Sequence, residues 1–144
     1  VSDEPGVTVR RVSDEDQIRV ILGPKIFEWA VESLPEGLAI DDVRFRDLIS
    51  VTEDDVFSYV VAHGFDARVV AEDAVFDDRI CIVSSAAGWR VFYTERGRVF
   101  EESLFPSRQE ARREVVSRLM EVARIILNSR YWHSHGPAFP LADE

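Results

Sequence analysis

The order of patterned segments predicts an α+β fold. An antiparallel sheet, a meander over about residues 78–104, is packed by a long C-terminal helix at about 107–128 and by N-terminal helices. Three observations predict it. Ile80–Val83 is β-branched and compact, and Trp89–Thr94 and Val99–Leu104 follow as further strands, joined by short turn-like segments holding Gly88 and Gly97. Ser107-Arg108-Gln109-Glu110 is an S-x-x-E capping box, followed at helical spacing by Ala111, Val115, Leu119, Val122, Ala123 and Ile126. Ahead of the strands, the apolar positions recur at helical spacing.

In chain order, Val7–Val12 alternates and suits a strand or an ordered arm. Ser13–Asp16 (SDED) reads as a helix start, its acids near the positive end of the dipole. Gly23-Pro24 interrupts that helix, and Pro24 is placed to open a second one over 24–34, ended by Pro35 and Gly37. Residues 38–51 fit neither period, although Asp41-Asp42 suits the start of a short helix. Thr52-Glu53-Asp54-Asp55 resembles a capping box, Val56, Phe57, Val60 and Val61 share a helical face, and Gly64 suits the end of that helix. The capping-box helix runs to about Asn128. Gly136, Pro137 and Pro140 then predict an irregular tail over 131–144 of a single domain spanning 1–144.

A chain of 144 residues, 46% hydrophobic, is long enough to bury a core without disulfides, and its one cysteine points to a reducing, cytoplasmic setting. No apolar run is long enough to span a bilayer. The net charge of −10 is unevenly placed: residues 1–87 hold 19 of the 27 carboxylates but only 8 of the 17 basic side chains. A field of that sign disfavours nucleic acid and anionic membranes and favours a basic protein partner.

Candidate chemistry is sparse. His133-Ser134-His135 would place two imidazoles on one face of an extended segment, as metal co-ligands require, but no further ligand is nearby in sequence. Ser84 and Ser85 lie in a turn without the G-x-S-x-G surround of a nucleophile, and Cys81 reads as a small buried hydrophobe between Ile80 and Ile82. There is no glycine-rich phosphate loop, so no cofactor, metal or catalytic residue is expected. Paired acids are plentiful, and a small hydrolase using paired carboxylates or the tail histidines is the enzymatic alternative.

The stretch GWRVFYTERGRVFEESLFPSRQEARREVVSRLMEVAR carries a strand ending in Tyr93, then Glu95-Arg96-Gly97, a further strand, and a helix start at Pro106–Ala111. Over residues 88–127 it resembles small bacterial immunity proteins of polymorphic or contact-dependent toxin systems. The resemblance implies a non-enzymatic antitoxin that binds a cognate protein toxin domain and occludes its active site. A toxin domain with a basic surface would meet the acidic region, and the residues expected there are Asp41, Asp42, Glu53, Asp54, Asp55, Asp77 and Asp78, with Tyr59 and Phe76 as apolar anchors. The alternative without chemistry is a general acidic interaction or regulatory module. GWRVFYTERGRVF itself reads as the central hairpin of the sheet, Trp89, Val91 and Tyr93 on one face and Arg90, Phe92 and Thr94 on the other.

Overall fold

The computed structural model describes residues 12–136. The alternating run up to Arg11 and the tail from Pro137 lie outside the described residues. Five helices and four strands follow in the order α1 (Asp14–Leu22), α2 (Ile26–Glu32), α3 (Phe45–Leu48), α4 (Glu53–His63), β1 (Val70–Glu72), β2 (Arg79–Ser85), β3 (Gly88–Glu95), β4 (Arg98–Phe105) and α5 (Arg108–His135). They form two compact units. Among the described residues, one comprises 12–21, 25–51 and 120–136, and the other 22–24 and 52–119. No helix among the described residues is long and apolar enough to cross a membrane.

The helix starts follow the polar residues that precede them. The Ser13 hydroxyl accepts from the Asp16 N–H at 3.2 Å, and Ser107 does the same for Glu110 at 3.1 Å. At α4 the box is reciprocal: Thr52 Oγ1 accepts from the Asp55 N–H, and Asp55 accepts from the Thr52 N–H at 2.9 Å. Gly64 ends that helix at φ +81°, its N–H on the Val60 carbonyl. Pro24 does not open α2: Lys25 is the N-cap and the helix begins at Ile26. Residues 38–51, without a clear period, hold only a 3₁₀ turn (Ile40–Asp42) and the single-turn α3. Asp41 and Asp42 lie in the first turn of that 3₁₀ helix, whose N-cap is Ala39.

In the first unit, two buried amides hold these short pieces. Gln17 on α1 reaches the Ser50–Val51 backbone, and Asn128 Oδ1 on α5 accepts the Phe45 N–H at 2.7 Å. Ile18, Ile26, Ala30, Val43, Phe45 and Leu48 are buried in the same unit.

The second unit contains the sheet, in the order β1-β2-β3-β4. The three anticipated strands pair antiparallel, with β3 central. The sheet is nevertheless mixed, not purely antiparallel, because β1 pairs parallel with β2. A parallel neighbour needs a crossover, and here residues 73–78 supply it without a helix. They run back across the face that carries Ala71, Cys81, Phe92 and Thr94, where the Phe76 carbonyl accepts from Thr94 Oγ1 at 2.7 Å and from the Cys81 thiol at 3.6 Å. Ala71, Cys81 and Phe92 form a buried cluster beneath this strap. Its corners are sharp: Asp73 (φ +66°) and Asp78 (φ +62°) are both left-handed, a region aspartate tolerates better than most residues.

The opposite face meets the first half of α5. Arg108 and Arg112 converge on Glu72 Oε1, and Arg118 Nη2 donates to Ser103 Oγ and to the Glu101 carbonyl. Glu101, at φ +55°, lies in the bulge where the β3–β4 register shifts, so Arg118 satisfies a carbonyl near the irregularity. Arg96 (φ +53°) and Gly97 (φ +76°) make the two-residue β3–β4 turn, in the paired left-handed geometry that suits a twisted hairpin. At Gly88 a side chain is excluded, since a Cβ would stand 2.7 Å from the Phe105 carbonyl oxygen.

Along α5, Ala111, Val115, Leu119 and Ala123 are buried as the spacing predicts. Val122 is not, at 49% exposure, and Ile126 is only half-buried. From Met120 onward the helix belongs to the other unit, where Met120, Leu127 and Asn128 take the buried positions. The helix continues past Asn128 to His135, so Tyr131–His135 are helical where an irregular tail was expected. It stops at Gly136 (φ +89°), whose N–H caps the Trp132 carbonyl at 2.8 Å.

Candidate functional site: the strap end of the sheet

The acids expected to form one surface fall into three settings. Asp41 and Asp42 belong to the first unit and face the end of α5: Asp41 accepts from Ser134 Oγ at 3.0 Å and lies 3.7 Å from Arg130, while Asp42 stands 3.3 Å from His135 Nε2. Glu53, Asp54 and Asp55 form the first turn of α4 in the second unit. Glu53 takes Arg113 Nε at 3.0 Å and the Ser117 hydroxyl at 3.1 Å, Asp54 pairs with the same guanidinium, and Asp55 is the N-terminal cap. Tyr59 is half-buried, with its ring 4.5 Å from that of His63. These carboxylates act mainly within their own unit, holding α5 arginines or capping a helix.

The third setting differs. Phe76, Asp77 and Asp78 are on the strap, and the strap is pinned to the β3–β4 hairpin. Asp77 Oδ1 accepts the Gly97 N–H at 3.2 Å, and the Asp78 N–H donates to the Thr94 carbonyl at 2.7 Å. Val75 and Phe76 are 59% and 51% exposed although the backbone beneath them is tied down. Val99 and Phe100, just beyond the hairpin turn, are also exposed. Guanidinium groups lie over both rings, Arg79 at 4.9 Å from Phe76 and Arg98 at 6.0 Å from Phe100. Asp77, Asp78 and Glu95 make no ion pair among the described residues.

Tyr93 registers that charge. Partial burial first, then Asp78, Glu95 and Asp77, push its phenol above the ordinary value of 10.0. With the folded value raised, the stability contributed is fully present below the ordinary value and is lost as pH rises through the folded one. NMR titration of the Tyr93 ring is expected to show this upward shift, and Asp78→Asn to reduce it. An unchanged titration in that variant would place Asp78 out of electrostatic reach.

The sequence pointed to Phe76, Asp77 and Asp78 but not to Val75, Val99, Phe100 or Glu95, because the hairpin looked purely structural. One local signal was available: Ala74-Val75-Phe76 is a small apolar island between Asp73 and Asp77-Asp78. The link from Asp77 to Gly97 is non-local and leaves no trace in spacing.

The tail histidines do not share a face. On α5, positions i and i+2 are about 200° apart around the axis, so the extended geometry that would make them co-ligands is not present. Instead His135 stacks on Tyr131 at 4.2 Å. Among the described residues no group of three or more His, Cys, Asp or Glu side chains is arranged to hold a metal ion. Cys81 is buried, as its apolar neighbours suggested. No protein-family model, curated protein or solved structure matches this chain.

Proposed function

We propose that this chain is a non-enzymatic immunity protein that acts in the cytoplasm, neutralising a cognate toxin domain by binding it and covering its active site. The observation that carries the reading is the strap end of the sheet. Exposed apolar side chains sit there on backbone held by hydrogen bonds, ringed by the charged residues Asp77, Asp78, Arg79, Glu95, Arg96 and Arg98. Exposed apolar patches rimmed by polar groups mark interaction sites on soluble proteins. The −10 charge adds long-range attraction for a basic partner and repels nucleic acid, the substrate with which such a protein would compete on a nuclease-type toxin.

The test is to look for a secreted-toxin gene beside this one and to co-express this protein with the toxin domain that such a gene encodes, followed by pull-down at low and high salt. Rescue of growth is expected, with a stoichiometric complex whose association slows as salt screens the charges. Growth arrest in the presence of this protein, with no complex at either salt, would reject the reading.

A further inference from the structure

We propose that in the free protein the strap end of the sheet, residues 75–79 and 95–100, seats the same surface of a second copy across a two-fold axis. This inference goes beyond the toxin-binding reading and is tested without a toxin; where both hold, second copy and toxin domain exclude each other.

The charges at this end choose the occupant. Asp77, Asp78 and Glu95 stand beside Arg79, Arg96 and Arg98, so the end is balanced on a chain whose net charge is −10. Copies carrying that charge repel each other over most of their surface and meet with least repulsion where it is balanced. Bonding points the same way. Among the described residues Arg46, Arg79, Arg96 and Arg98 make no ion pair, whereas the other arginines each hold a carboxylate. Arg98 is even the register partner of Glu95, yet the two form no ion pair within the molecule. A partner of one sign would satisfy one set of these charges and confront the other with its like. A two-fold contact presents both signs from both sides, so the arginines of one copy meet carboxylates of the other. Asp77 Oδ1 stays on the Gly97 N–H, which leaves Asp78 and Glu95 as the acids that cross.

The apolar part of the contact is exposed Val75, Phe76 and Val99. Val99 is the register partner of Thr94 and so shares the face that the strap crosses. Thr94 Oγ1 on the Phe76 carbonyl and the Asp78 N–H on the Thr94 carbonyl hold the backbone beneath the ring, so Phe76 is covered at little ordering cost. Eleven residues a side fall short of the about 20–30 of a standard interface, which makes the dimer a weak one.

The experiment is sedimentation velocity of the full chain from about 10 μM to about 1 mM, at an ionic strength of about 0.15 M that screens the distant charges. Wild type is expected to pass from monomer to dimer over that range, and Phe76→Ala to raise the dissociation constant about 10-fold. Two charge variants test the two-fold pairing: Arg79→Glu/Arg98→Glu makes the end acidic, and Asp78→Asn/Glu95→Arg makes it basic, asparagine suiting the left-handed position 78. Each alone is expected to stay monomeric, and an equimolar mixture of the two to recover a dimer. Circular dichroism confirms that each variant is folded. Wild type that stays monomeric throughout overturns the inference, whatever else binds this end. A dimer that Phe76→Ala leaves at wild-type strength overturns it by placing the contact elsewhere, and so does a mixture of the charge variants that stays monomeric. None of these results bears on the toxin reading, which the co-expression decides.

Discussion

Phe92→Ala is expected to lower the unfolding free energy by about 4 kcal/mol, the largest effect of any single substitution considered for the sheet. Phe92 is 2% exposed in the middle of the central strand, under the strap and against Ala71 and Cys81, which are too small to refill the space. Arg90 lies over the ring at 4.6 Å and would lose that contact as well. Urea unfolding followed by far-ultraviolet circular dichroism checks the loss, with an unchanged denaturant slope showing that the denatured state is not altered. Phe92→Leu, which keeps most of the volume, should cost about 1 kcal/mol. A second readout is local. The Cys81 thiol, buried beside Phe92, should react with a thiol reagent much faster in Phe92→Ala than in wild type under native conditions. A loss below about 1.5 kcal/mol with no gain in thiol reactivity would mean that the strap settles into the cavity.

That strap also marks the limit of what local pattern reveals. Strands β2, β3 and β4 were legible because each holds β-branched or aromatic residues and is bounded by turn residues, although Glu101-Glu102 interrupts the last, and the cap of α5 because both partners of the box are three residues apart. β1 has three residues and a parallel neighbour reached over 73–78, so its existence depends on pairing and not on composition. The short 3₁₀ turn and α3 are similar. Asn128 holds the first N–H of α3, Gln17 the Ser50–Val51 backbone after it, and Ser134 and His135 reach Asp41 and Asp42 in the 3₁₀ turn, all distant in sequence, while the residues of the two turns fit no period. The end of α5 was misplaced because Arg130–His135 lacks a regular apolar stripe; Gly136, not the loss of that stripe, ends the helix.

The same distinction runs through the candidate site. Acidity was visible in the sequence, but the use of each acid was not. Whether a carboxylate caps a helix, holds an arginine or remains available depends on which strand or helix passes beside it. Glu53 and Asp78 are both members of acidic runs, yet Glu53 is engaged by Arg113 and Ser117, and Asp78 lies in the field around Tyr93 without an ion pair among the described residues. The hairpin GWRVFYTERGRVF supplies the scaffold for that corner and also part of its surface, through Glu95 and Phe100.

Gln17→Ala is expected to cost about 3 kcal/mol, more than an ordinary polar-to-alanine change, because the amide is a junction. At 1% exposure, Gln17 Oε1 accepts from the Ser50 N–H at 2.7 Å and the Val51 N–H at 3.2 Å, while Nε2 donates to the Val12 carbonyl at 3.1 Å. Alanine strands two backbone donors and one acceptor at once. Gln17→Glu separates this cause from simple packing. It keeps the acceptor and the shape, and when protonated it can still donate to Val12. Burial should raise the folded pKa of that carboxyl above its unfolded value of about 4.3. Stability relative to wild type is then fully present below the unfolded value and is lost as pH rises through the folded one, at up to about 1.4 kcal/mol per pH unit. Urea unfolding of both proteins at several pH values should show near-equality in acid and a widening gap toward neutrality. A gap that stays constant with pH would mean that water reaches the junction and that its backbone donors can be satisfied without Gln17.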